Sequence, residues 1–156
     1  MEDTIIATLE QAESDLSLLP KKKVVAGGCF DVLHPGHEAF LNACRKQGEY
    51  LIILLESDKK IKESKGNGRP HNSQEIRARN LTALKIIDYI ILLPYLSKNK
   101  EYDEVISSLK PAIIATTFGD PYRFHKERQA KMVGAEVIDV IKRLPEHSTT
   151  KLLTHI

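Results

Sequence analysis

Residues 23–37 read KVVAGGCFDVLHPGH. The apolar run Val24–Ala26 ends in Gly27-Gly28, and a Pro-Gly pair flanked by His34 and His37 follows. A run without polar alternation fits a strand covered on both faces, as in a parallel sheet. Beyond it, Phe40, Leu41 and Cys44 are spaced for a helix that starts at Pro35 and is closed by Gly48. The two glycines leave the backbone bare, so the chain can turn or a ligand can approach closely. His34, Pro35, Gly36 and His37 fall at the amino end of the helix, where unpaired N–H groups and the positive end of the dipole attract anions. Imidazoles three positions apart are neighbours on a helix surface and add donors on one side. The corner reads as a cradle for a polyphosphate.

Working outward, strands are expected at YLIILLES (50–57), DYIILLP (88–94), AIIATT (112–117) and AEVIDVI (135–141). Helices are expected at SQEIRARNLTALKII (73–87), EYDEVISSLK (101–110), PYRFHKERQAKMVG (121–134) and STTKLLTHI (148–156), with Ser73 and Ser148 as N-caps. DKKIKESKGNGRPHNS (58–73) is lysine-rich and broken by Gly66, Gly68 and Pro70, so it reads as a long functional loop. Alternation of strand and helix predicts an α/β fold: a doubly wound, parallel, five-stranded sheet with helices on both faces. Ligands in such sheets bind at the carboxyl edge, where strand order reverses. Before this unit, Ile5, Ile6, Leu9, Ala12, Leu16 and Leu19 recur at helical spacing and predict an amphipathic helix in residues 1–20, leaving 21–156 as a single domain.

The chain has 156 residues, 42% hydrophobic and 28% charged, with a net charge of +2, which argues against a general affinity for nucleic acid. No aromatic residues interleave with the lysines in the manner of a single-strand binder. Cys29 and Cys44 lack CxxC spacing, so neither a structural zinc nor a disulfide is indicated. No apolar run approaches the ~20 residues of a membrane span. The acidic start MEDTIIATLEQ lacks a cationic n-region, and a cytoplasmic setting is expected.

GCFDVLHPGH, Gly28 to His37, resembles the G-x-F-D-x-x-H-x-G-H signature of the cytidylyltransferase-like nucleotidyltransferases. SKGNGRPHNSQEIR, Ser64 to Arg77, resembles the K-G-x-x-R-P-x-N-x-x-E-x-R stretch in the adenylyltransferase half of bacterial heptose-phosphate enzymes, and EHSTTKLL, Glu146 to Leu153, resembles their late S-T-T motif. The resemblance runs from Lys23 to Ile156 and implies a Rossmann-like domain that transfers a nucleotidyl group to a small phosphorylated acceptor, releasing pyrophosphate. It favours ATP, with Mg2+, and a sugar-phosphate-like acceptor. The alternatives are a cytidylyltransferase using CTP and glycerol 3-phosphate, or a nucleotide-binding module without catalysis. A homodimer is implied by the relatives alone.

Carried over by position, the resemblance makes His34, His37, Arg77 and Lys65 catalytic, the last two as cations brought to the phosphates. It assigns nucleotide binding to Gly28, Cys29, Phe30, Gly36, His37, Gly119, Asp120, Ser148, Thr149 and Thr150, and acceptor binding to Asp31, Asp58 and Arg69, with no protein metal ligand assigned. Asp31 and Asp58, each near a strand end, have three open roles: orienting a histidine, binding the acceptor, or holding Mg2+ through water. A phosphate nucleophile needs no strong base, and none of the Ser/His/Asp type is evident. The chain departs from its relatives at TTFGDPYRFHKERQ, 116–129, where Thr117-Phe118 precede Gly119-Asp120 and a basic stretch, Arg123 to Arg128, follows. That stretch reads either as part of the acceptor or base pocket or as an ordinary basic helix face.

Overall fold

The computed structural model describes residues 3–142. Their elements are β1 (Ile5–Thr8), α1 (Leu9–Leu16), β2 (Lys23–Gly28), α2 (Pro35–Arg45), β3 (Tyr50–Leu55), α3 (Asp58–Lys65), α4 (Gln74–Thr82), β4 (Tyr89–Leu92), α5 (Asn99–Leu109), β5 (Ile113–Phe118), α6 (Arg123–Val133) and β6 (Glu136–Lys142). The strands form one parallel sheet in the order β1-β4-β3-β2-β5-β6. The expected doubly wound α/β architecture is present, with six strands rather than five.

The sheet carries a core on each face, as the period-two alternation of side chains requires. Val25, Ile52, Leu54, Tyr89, Ile91 and Ile114 pack with α1, α5 and α6 through Ala12, Leu16, Val105, Ile106, Leu109 and Ala130. Val24, Ala26, Leu51, Ile53, Leu55, Ile90 and Ile113 point the other way, onto Leu41 and Cys44 of α2 and Ala78 and Leu81 of α4. Cys44 is fully buried in that second core. Each fully buried Ile or Leu contributes roughly 1.5–3 kcal/mol, so both layers are strongly held.

Two expected elements are corrected. Residues 5–8 form not a helix but the edge strand β1, in register with Tyr89–Leu92, and the helix begins at Leu9 with the Thr8 hydroxyl accepting from the Gln11 amide at 3.2 Å. The N-terminal segment is thus part of the sheet. Residues 58–65 form the helix α3 rather than loop, capped by the Ser57 hydroxyl accepting from Lys60 N–H at 3.1 Å. Asp58 in its first turn and Lys62 and Lys65 in its last match the helix dipole, and Ile61 anchors it.

Strand order reverses between β2 and β5. β2 pairs with β3 over its whole length, Lys23–Gly28, whereas with β5 it pairs through Val24↔Ile113 and Val25↔Ile114. Beyond those two pairs β2 and β5 are not paired with each other, and the corner of the opening sequence lies at this switch point, where doubly wound sheets offer a crevice to ligands. No helix among the described residues is long and apolar enough to cross a membrane.

Candidate active site

The corner is built on Phe30. Its backbone takes a left-handed φ of 48°, rare for a side-chain-bearing residue, and its ring folds back over Gly28. A Cβ on Gly28 would lie 2.7 Å from that ring, so any side chain there would have to displace it. The buried Phe30 ring meets His37 edge-on, with centroids 5.4 Å apart. Phe30 and Gly28 therefore support the imidazole from below, and the ring itself is not presented to a nucleotide.

Helix α2 starts with Pro35 at its first position and the His34 side chain as its cap. His34 Nδ1 accepts from Gly36 N–H at 3.0 Å, and His37 Nδ1 accepts from His34 N–H at 3.4 Å. The rings stack at 3.9 Å with 30° between their planes. A neutral imidazole that accepts at Nδ1 carries its proton at Nε2. Each ring thus carries its donor at Nε2, and that of His34 is buried. Burial, followed by the charges of His34 and Lys65, pushes the His37 pKa down to about 4, so this ring is a neutral donor at pH 7.

Lys65, the last residue of α3, joins the corner: its charge acts on His37, Cys29, Asp31 and Arg69. Burial lowers its pKa from the ordinary lysine value. Cys29 is half-buried, and burial raises its thiol pKa, so it is an inert wall rather than a nucleophile.

Arg77 is placed differently from expectation. It is fully buried, donating Nε to Asn72 O at 3.0 Å, Nη1 to Cys29 O at 2.9 Å and Nη2 to Asp58 Oδ1 at 2.7 Å. With its fork engaged by three oxygens, Arg77 braces the turn after β2 and is a positioning residue. Asp58 is half-exposed, with one oxygen on Arg77.

Asp31 and Arg69 are likewise corrected as acceptor ligands. Asp31 is fully buried: Oδ2 accepts from Arg69 Nε at 3.0 Å and from His71 N–H at 2.7 Å, and Oδ1 from Asn72 N–H at 2.9 Å. Burial opposes its charge, but the two amides and Arg69 outweigh that and hold the carboxyl below its usual range. The pair fastens the loop between α3 and α4 to the corner, with both side chains out of reach of an acceptor.

Across the crevice, Gly119 follows β5 with φ +84°, and Asp120 accepts from Thr116 Oγ1 at 2.8 Å, from Tyr122 N–H at 2.9 Å and from Lys126. Burial works against the Asp120 charge, while these donors hold its pKa below the ordinary value. Part of the basic stretch thus serves to set this turn, and Arg128 is held by Asp103. Gly36 sits between the two histidines as expected, its N–H used by the cap. Ser148, Thr149 and Thr150 lie outside the described residues.

Sequence reasoning missed Glu56. It follows β3, its N–H donates to Gly28 O at 3.1 Å, and its carboxylate accepts from Tyr102 O–H at 3.0 and 2.9 Å. Its one sequence signal is a carboxylate next to a strand's carboxyl end; Tyr102, in a helical pattern, gives none. Asn72 was also missed, though it bridges Asp31 O, through Nδ2 at 2.8 Å, and Arg77. Among the described residues no group of three or more His, Cys, Asp or Glu side chains converges to hold a metal ion.

At the switch point of a doubly wound sheet the arrangement brings together a helix amino end, stacked imidazoles and a lysine. The bifunctional protein HldE of Campylobacter concisus is 32% identical over 97% of this chain, and that of Helicobacter hepaticus 34% over 89%. The matched parts are 30% and 27% of those proteins, so the chain spans about three tenths of the length of these relatives. Among solved structures, a lipopolysaccharide core biosynthesis protein from Thermoplasma volcanium superposes with a TM-score of 0.63 at 22% identity, covering 82% of this chain and 99% of that one. The pantoate-beta-alanine ligase of Francisella tularensis gives 0.63 at 13% identity, over 92% of this chain and 69% of that one. Both share the fold. Residues 25–154 match the cytidylyltransferase-like family. The resemblance read from the histidine corner holds, and the chain belongs to the cytidylyltransferase-like family.

Proposed function

We propose that this chain is a nucleotidyltransferase that moves AMP from ATP to a small phosphorylated acceptor of the sugar-phosphate kind, releasing pyrophosphate. The observation that carries the reading is the stacked His34–His37 pair, fixed through Nδ1 at the amino end of α2 beside the crevice.

An acceptor phosphate oxygen attacks the α-phosphorus in line, forming a new P–O bond as the bond to the β-phosphate oxygen breaks. Both reactants are anions, so catalysis rests on positioning and on donors aimed at the growing charge. The Nε2–H of His37, its ring stacked on that of His34, and the positive end of the α2 dipole take the phosphate oxygens, and charge passing to pyrophosphate strengthens those interactions. A dianion against the rings raises their proton affinity, so His37 can gain positive character when the leaving group needs it. Lys65 adds a cation on the same side, while Arg77 and the Asp31–Arg69 pair hold the turn still. Mg2+ enters on the triphosphate as part of the substrate, keeping phosphate and water oxygens as ligands and neutralising charge there. The same proposal puts the enzyme in the cytoplasm as a homodimer, which sedimentation of the purified chain checks.

The test is pyrophosphate release with ATP or CTP against a panel of sugar 1-phosphates, glycerol 3-phosphate and FMN. Acceptor-dependent release with ATP is expected. Preference for CTP makes the chain a cytidylyltransferase, and nucleotide binding without release across the panel makes it a non-catalytic module.

A further inference from the structure

Glu56 and Tyr102 form a charged, partly buried pair at the carboxyl edge of the sheet that the mechanism above does not use. The Glu56 amide is bonded to Gly28 O, which sets its carboxylate beside the Gly28–Cys29 turn, in the field of Arg77 and Lys60. One tyrosine O–H proton lies 3.0 and 2.9 Å from the two carboxylate oxygens. A carboxylate offers about four lone-pair sites, so most of its accepting capacity remains. Burial raises the Glu56 pKa, which tells of a desolvated group retained at a site where a neutral residue would be cheaper.

An anion next to a phosphate cradle repels phosphate. What it accepts is a hydrogen-bond donor carried a short distance from the acceptor's phosphorus. A cationic donor is disfavoured, because lysines already occupy the aromatic faces nearby. Lys59 Nζ stands 4.2 Å from the Tyr95 ring centroid, and Lys60 Nζ stands 5.6 Å from that of Tyr102. Neutral hydroxyls remain, and adjacent hydroxyls suit the two oxygens of one carboxylate.

We propose that Glu56, oriented by Tyr102, sets the selectivity of this site within its acceptor class by taking hydroxyl groups next to the acceptor's phosphate. This deepens the transferase reading and rests on it. A site built to bond a hydroxyl rejects an analogue lacking it far more strongly than an apolar pocket rejects an extra group. Glu56→Gln keeps the shape and the tyrosine contact while removing the charge; Tyr102→Phe leaves the carboxylate without its orienting proton.

The experiment measures steady-state pyrophosphate release by wild type, Glu56→Gln and Tyr102→Phe, each first checked for an unchanged melting transition. ATP is paired with hexose and heptose 1-phosphates, glycerol 3-phosphate, phosphoethanolamine and methyl phosphate. A polyol phosphate is expected to be the best acceptor. Glu56→Gln should raise its KM at least tenfold, leave the KM for ATP within twofold, and leave the slow rate with methyl phosphate unchanged. Tyr102→Phe should give a smaller rise in the same KM. Phosphoethanolamine as the best acceptor, or equal losses on polyol and methyl phosphates, overturns the assignment of Glu56. An unchanged polyol KM in Glu56→Gln with an active wild type overturns it too and leaves the transferase reading standing. Absence of turnover by wild type with every acceptor overturns both.

Discussion

His37 links stability to chemistry. Its native pKa of about 4 lies below the ordinary 6.5, chiefly because the ring is buried and then because His34 and Lys65 oppose its charge. Between those two pH values the unfolded chain holds a proton that the native chain does not. The His37 contribution to stability is therefore complete above pH 6.5 and is lost as pH falls towards 4. Urea midpoints from pH 4 to 8 should drop more steeply on the acid side in wild type than in His37→Gln; identical slopes would refute the neutral, buried ring. His37→Ala should cost at least a hundredfold in turnover, about 2.7–4 kcal/mol of transition-state stabilisation, with circular dichroism unchanged. Near-normal turnover would remove the histidine corner from the mechanism. The placement of His34 and His37 at a helix start was legible because residue type and offset mark that start, whereas Lys65, the last residue of α3, came from the resemblance alone. Arg77, Asp31 and Arg69 were misread because a sequence shows charge but not the oxygens and amides that enclose it.

At the scale of elements, the segment from Gly66 to Ser73 is held less by its own conformation than by one buried carboxylate. Asp31 serves Arg69, His71 and Asn72 together, and Asn72 in turn accepts from Arg77. Asp31→Ala would strip a buried guanidinium of this carboxylate and two amides of their acceptor. A loss of about 3–5 kcal/mol is expected in equilibrium denaturation. Turnover should fall with it, because Lys65 and the Cys29 turn lose their fastening; a loss below 1 kcal/mol would show that the segment is held elsewhere. The helix on its near side, α3, was unreadable as a helix because Ile61 is its one buried residue and gives no period. Ser57, Asp58 and the late lysines were the better signal, a cap and a charge gradient. β1 was hidden for the opposite reason: Ile5 and Ile6 continue the helical spacing of Leu9, Ala12 and Leu16, although β-branched residues before a threonine cap favour strand then helix.

For the whole molecule, strand order turns these local devices into one site. The alternation of elements made a parallel sheet readable, but whether the first strand sits at the edge or the centre depends on which faces find cover, a tertiary property. The chain answers by placing β1 beside β4, at the far edge from the short β2–β5 junction. At that junction β2 leads into His34 and His37, and its neighbour β5 leads into Gly119 and Asp120. A triphosphate nucleotide is long enough to touch both, so its binding should couple them. ATP with Mg2+ at a hundred times its Kd should add about 2.7 kcal/mol of stability. Hydrogen exchange should slow together at residues 34–37 and 117–120, while β1 amides, remote from the crevice, keep their free-state rates. Protection on the histidine side alone would mean that the ligand is an anion at a helix end, and that the sheet's switch point plays no part in holding a nucleotide.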